Sequence, residues 1–124
     1  MKKEYQNHLT KEERLILVDR GTEPPFTGEY NHFYNEGDYF CKGCSSKLFS
    51  SVSKFDSHCG WPSFDDNIDG SLKKIVDNSL GISRTEIICS VCNGHLGHVF
   101  NGENYTEKNT RYCVNSLSLK FKAK

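Results

Sequence analysis

A mainly β chain with one short N-terminal helix and two metal-pinned turns is what this sequence predicts, on three observations. The stretch Thr110 to Phe121 alternates in side-chain character, as a half-buried strand does. Leu72 to Val76 and Ser83 to Cys89 are rich in the branched residues that suit a pleated surface. Ten glycines and two Cys-x-x-Cys pairs are spread through 124 residues, which implies many turns and a means of fixing them. The length fits one domain, residues 1–124. Only 35% of the chain is hydrophobic, so the core is thin and a metal or cross-link is expected to reinforce it.

The helix starts at Thr10, whose side chain can cap it while Glu13 reaches back, a capping box. Gly21 supplies the stop, giving about three turns. Glu23-Pro24-Pro25-Phe26 is extended, because each proline forbids helix in the residue before it; this segment is expected to lie across a sheet or close one end. The first knuckle is Cys41-Lys42-Gly43-Cys44, with Gly43 read as the residue that makes its turn tight. The second is Cys89-Ser90-Val91-Cys92, followed by Asn93-Gly94.

Cys41, Cys44, Cys89 and Cys92 are the ligand set of a closed structural Zn2+ site. The long separation between the knuckles is no obstacle, since each doubling of a loop costs only about 0.6 kcal/mol. A thioredoxin-like redox pair needs a βαβ context that the sequence does not contain. Two structural disulfides are the other reading.

Between the knuckles lies His58-Cys59-Gly60-Trp61-Pro62, where Gly60 and Pro62 hold the only Trp in a loop. That indole is either a core anchor or the wall of a small apolar pocket, with the core favoured from these residues alone. Gly94 to Phe100 presents His95 and His98 in a glycine-bracketed run. Both could bind metal, but four thiolates already complete a tetrahedron, which frees the imidazoles for proton chemistry near neutrality.

Within the Thr110 to Phe121 pattern, Arg111, Cys113 and Asn115 share one face with Leu117, Leu119 and Phe121. A permanent cation beside a thiol favours its thiolate, the form that acts as nucleophile. The bland reading of Cys113 is a buried, inert thiol. The last residues, Lys122 to Lys124, read as a frayed basic end.

The charge balance, 16 basic against 16 acidic residues, lacks the basic excess of a nucleic-acid binder. No apolar run is long enough to cross a membrane, and the charged start precedes no apolar segment of a secretory signal. A cytoplasmic, reducing location and a monomer are expected. Setting the four knuckle thiols aside leaves Cys59 and Cys113. A nucleophilic thiol with a second thiol to resolve it can take oxygen from a substrate as a sulfenic acid and release it as water. A cysteine hydrolase built on Cys113, a histidine and Asn115 would need no Cys59. A zinc-pinned β binding module would need neither.

Cys59 to Phe64, Gly94 to Phe100 and Arg111 to Ser116 resemble the signature segments of the peptide methionine-R-sulfoxide reductases, the B class. The two knuckles and Thr22 to Gly28 match as well. The resemblance implies two antiparallel sheets bent around the active site, with zinc at one edge. It implies Cys113 as nucleophile, Cys59 as resolving cysteine, and thioredoxin as the reductant of their disulfide. Trp61 and Phe100 would contact the methionine-R-sulfoxide of a protein or peptide, reversing the core preference for Trp61. His95, His98 and Asn115 would orient and protonate the sulfoxide oxygen, and Arg111 would tune the thiolate. His58 departs from the family's more usual glycine; its imidazole would restrict the turn or favour the Cys59 thiolate.

Overall fold

The computed structural model describes residues 1–124. Its one α-helix, α1, runs Lys11–Leu17 and opens with the expected capping box: Glu13 N donates to Thr10 Oγ1 at 3.2 Å, and Thr10 N donates to Glu13 Oε1 at 2.9 Å. The helix is shorter than the sequence suggests. Arg20, and not Gly21, takes the left-handed conformation, with φ of 61°. Gly21 serves by being small: its N–H bonds Leu15 O at 2.9 Å, and an added Cβ would lie 2.7 Å from that oxygen.

Nine strands follow: β1 Gly37–Cys41, β2 Lys47–Ser50, β3 Lys54–Phe55, β4 Ser63–Phe64, β5 Leu72–Asp77, β6 Arg84–Cys89, β7 His95–Asn101, β8 Thr110–Val114 and β9 Leu119–Ala123. They form two antiparallel sheets, in the orders β2-β1-β9 and β3-β4-β8-β7-β6-β5. The two sheets and the short helix agree with the fold expected from the sequence.

The single long strand read at Thr110 to Phe121 does not exist as such. It stops at Val114, passes through a 3-10 turn at Ser116–Ser118, and resumes as β9 in the other sheet. The cause is Asn115, whose side chain bonds the backbone of Glu23 and Leu96 while its carbonyl accepts from Ser118 N at 3.0 Å. Arg111 and Cys113 therefore share a face, but Leu117, Leu119 and Phe121 do not continue it. The C-terminus is not frayed either. Ala123 pairs with Gly37, and Lys124 N donates to Glu36 O.

Fully buried aromatics join the sheets: Phe49 stacks on Phe64 with centroids 4.3 Å apart, and Tyr39 meets Phe64 edge-on at 5.1 Å. Each such ring stabilises the fold by about 1.5–3 kcal/mol. Tyr112 and Val114 point into this core, which turns Arg111 and Cys113 outward on β8.

Candidate active site and metal centre

A cleft of about 150 Å³ opens on that outward face, lined by Cys59, Trp61, His98, Phe100, Arg111, Cys113 and Asn115 among others. Sheet register assembles it. Cys113 pairs with His98 of β7 on one side and with Ser63 of β4 on the other. Gly97 lets β7 approach, since a Cβ there would sit 1.9 Å from Cys113 O.

Cys59 arrives on a loop bent by left-handed His58 (φ 61°) and Gly60 (φ 95°). The Glu23-Pro24-Pro25-Phe26 strip lies over this loop and fixes it: Trp61 Nε1 donates to Glu23 O at 2.9 Å, and Phe26 N to Gly60 O at 2.7 Å. An added Cβ at Gly60 would be 2.7 Å from Pro25 Cβ. Trp61 is thus held at the cleft wall, not in the core. Exposed His58 faces its own Asp56, Nδ1 to Oδ2 at 3.5 Å.

Cys59 and Cys113, the two cysteines outside the four-thiol cluster, face the same cleft and are half-buried. The neighbouring Cys59 and partial burial raise the Cys113 pKa against the lowering influence of Arg111. Cys59 is pushed down to about 4, first by the Cys113 thiol and then by the hydroxyls of Ser57 and Ser63, against its burial. Cys59 is therefore the sulfur more disposed to ionise in the resting state, although Arg111 acts on Cys113. Arg111 is itself held by Glu103, Nε to Oε1 at 2.8 Å, and lies 4.5 Å over the Phe100 ring.

His98 Nε2 donates to Asp77 Oδ2 at 2.8 Å, and Arg84 Nη2 meets the same oxygen at 3.2 Å. The carboxylate accepts only, so this contact puts the His98 proton on Nε2. The hydrogen bonds from His98 and Ser79 hold the Asp77 pKa well below the ordinary range.

His95 does not line the cleft. It is 2% exposed, its Nδ1 contacts Glu86 Oε2 at 2.6 Å, and its Nε2 has no partner. Burial lowers its pKa against the opposing pull of Glu86. A bulge in the β6–β7 pairing between Ile87 and Ile88 puts His95 and His98 at different angles, their rings edge-on at 5.7 Å. Asn115 borders the cleft, but its amide is committed: Oδ1 accepts from Glu23 N at 2.9 Å, and Nδ2 donates to Leu96 O at 3.0 Å.

Asp77, Arg84, Glu86, Glu23, Ser57 and Ser63 escaped the sequence reading. Asp77 directly follows the expected strand Leu72 to Val76, a position where a carboxylate reads as a turn residue. Only the strand register carries it to His98.

At the far end of β6, roughly 17 Å from Arg84 by strand rise, the sulfurs of Cys41, Cys44, Cys89 and Cys92 all lie within 4.8 Å of one another. Sulfurs around a tetrahedral zinc at about 2.3 Å are about 3.8 Å apart; the Cys41–Cys92 and Cys44–Cys89 distances are 3.6 and 3.5 Å. The donor set fits such an ion. Both knuckles close alike: Ser45 N bonds Cys41 O at 2.9 Å and Cys41 N bonds Ser46 O at 2.8 Å, matched by Asn93 N to Cys89 O at 2.9 Å and Cys89 N to Gly94 O at 3.0 Å. Their left-handed residues are Ser45 (φ 67°) and Asn93 (φ 64°). Gly43 does not make the turn. It leaves room for Met1, whose Cε would lie 2.3 Å from an added Cβ.

Two antiparallel sheets, two thiols facing an aromatic-walled cleft and a separate cluster of four thiols define a β-sheet thiol protein with four cysteines gathered as in a metal site. The chain belongs to the SelR domain family, whose model matches residues 9–123. It is 48% identical over 119 residues to peptide methionine sulfoxide reductase B5 of Oryza sativa subsp. japonica, covering 95% of this chain and 86% of that protein. The Arabidopsis thaliana protein of the same name is 46% identical over 119 residues, covering 95% and 84%. An uncharacterized protein of Schizosaccharomyces pombe is 44% identical over 120 residues, covering 95% and 87%. No helix is long and apolar enough to cross a membrane.

Proposed function

We propose that this chain, acting as one domain, reduces the R epimer of methionine sulfoxide in proteins or peptides to methionine. The observation that carries the reading is that Cys59 and Cys113 face one cleft walled by Trp61 and Phe100, joined to the family relationship.

The sulfoxide's S-methyl group packs on Trp61 and Phe100, which exclude water from the sulfur. The Cys113 thiolate attacks there. Protonation of the oxygen as charge develops lowers the barrier, and His98, steadied by Asp77, is placed to govern that proton. Arg111 favours the thiolate on Cys113 as its proton moves to Cys59. Asn115 and His95 act from behind, the first by fixing the backbone after Cys113, the second by fixing β7 through Glu86.

Methionine leaves and Cys113 becomes a sulfenic acid. Cys59 displaces that oxygen as water, forming the Cys59–Cys113 disulfide, and a dithiol such as thioredoxin reduces it. Such turnover belongs in a reducing compartment, with the cytoplasm as the expected one, and needs no second copy of the chain. Cys41, Cys44, Cys89 and Cys92 would hold a structural Zn2+, which supplies fold stability and takes no part in the reaction.

The test supplies dithiothreitol and separated R and S epimers of a methionine-sulfoxide peptide, with Cys113→Ser in parallel. Methionine from the R epimer alone, lost in the variant, is the expected result. Turnover of neither epimer by folded protein would overturn the reading in favour of a binding module.

A further inference from the structure

Cys59 is embraced by two buried serines that the reaction above does not use. Ser57 Oγ donates to Cys59 Sγ at 3.0 Å, Ser63 Oγ lies 3.6 Å from the same sulfur, and the two hydroxyls are 2.7 Å apart. Ser57 is 5% exposed and Ser63 not at all.

Buried hydroxyls need partners, and theirs form a closed set. Ser63 also reaches Trp61 O at 3.2 Å, which Cys59 Sγ approaches at 3.5 Å. A hydroxyl hydrogen rotates to suit its surroundings. With Cys59 as thiol, S–H can donate to Trp61 O. With Cys59 as thiolate, Ser63 can donate to Ser57 and Ser57 to sulfur, a short relay in which each bond strengthens the next. No such hydroxyl pair serves Cys113. Cys113 instead shares its cleft with Arg111, which favours its thiolate.

We propose that Ser57 and Ser63 are positioning residues that make Cys59 the leaving group when the Cys59–Cys113 disulfide is reduced. The inference rests on the reading that this disulfide forms during turnover. A thiolate of the dithiol reductant attacks Cys113 Sγ, and a bond forms between those two sulfurs. The Cys59–Cys113 bond breaks, and its electron pair leaves on Cys59, where the serine hydroxyls receive it. The second reductant thiol then attacks the mixed disulfide and releases Cys113. The reductant ends as a disulfide and both cysteines end reduced. A better-stabilised thiolate leaves faster, which selects Cys113 as the sulfur attacked.

Two measurements test this without any sulfoxide. In a Cys113→Ser background, the pH dependence of Cys59 alkylation by iodoacetamide is followed by peptide mass. Ser57→Ala is expected to raise its midpoint by about one unit, the weight of one hydrogen bond to a charged group, and Ser57→Thr to restore it. An unchanged midpoint in Ser57→Ala would overturn the cradle.

Separately, protein oxidised to the disulfide with diamide is exposed to thioredoxin lacking its second cysteine. The trapped mixed disulfide is expected on Cys113, and Ser57→Ala is expected to form it roughly three- to tenfold more slowly. A mixed disulfide on Cys59 would overturn the assignment. Failure of the wild type to reduce methionine sulfoxide would remove the reductase reading and leave both results interpretable.

Discussion

His98 stands directly opposite Cys113 in the antiparallel ladder of β7 and β8, and its far nitrogen is bonded to Asp77 on β5. Three strands thus contribute one group each: Cys113 from β8, His98 from β7 and, two residues off their register line, Asp77 from β5. His98→Phe is expected to slow methionine formation in a single turnover by about 10²–10⁴-fold. Asp77→Asn should have a smaller effect with an altered pH profile. An unimpaired single turnover in His98→Phe would exclude an acid role.

The influence of Cys59 on Cys113 gives a prediction of opposite sign to intuition. Removing Cys59 removes the largest influence raising Cys113, leaving burial opposed by Arg111. Cys113 should therefore become more reactive, with Cys59→Ser alkylating at Cys113 at lower pH than wild type. Peptide mass after timed iodoacetamide exposure across pH measures this; an upward shift would contradict it.

Cys41→Ser removes one of four clustered sulfurs. It should release bound metal and lower stability by several kcal/mol, a part of the roughly 10–16 kcal/mol that structural zinc supplies. Full zinc content and an unaltered melting temperature would refute the site.

Gly97→Ala puts a methyl group 1.9 Å from Cys113 O and 3.1 Å from Val114 Cα, atoms of backbone that cannot rotate away. It should cost at least the roughly 1–3 kcal/mol of an overpacked core and displace Cys113. Gly102→Ala, whose added Cβ meets nothing within 4 Å, carries only the strain of its positive φ. Thermal melts of the two variants should rank in that order.

His95 titrates below its ordinary 6.5 because burial disfavours its cation. The unfolded chain then binds a proton that the folded chain does not. The corresponding stability is complete above about pH 6.5 and declines as pH falls through and below that value. Denaturation midpoints between about pH 7.5 and 5 should drop in wild type, and the slope should flatten in His95→Gln. Equal slopes would assign the loss elsewhere.

Local chemistry was readable wherever neighbours in sequence are also neighbours in space. The Thr10–Glu13 capping box, both knuckles and the β5–β6 hairpin are of that kind, each closed by contacts between nearby residues. Long-range register was not. Period-two alternation cannot tell that Asn115 will bind Glu23 and Leu96, far away in sequence, and end the strand. The same blindness hid Asp77 and Glu86, whose partners are fixed by pairing and a bulge. It also placed His95 and His98 together, when one lies in the cleft and the other behind it.

The four-thiol centre draws Cys41 from β1 and Cys89 from β6, strands of different sheets. A bound ion there is a rivet through two plates, not a clasp on one. With the rivet in, amide hydrogens of both sheets should exchange as one cooperative unit. With it out, the three-stranded sheet, holding its own ladders, the aromatic seam and a few loop bonds such as Ile68 N to Leu48 O, should begin to exchange by itself. Loss of metal would then be felt at the cleft through the short crossing from Val114 to Leu119, the one covalent path from the strand bearing Cys113 directly into that sheet.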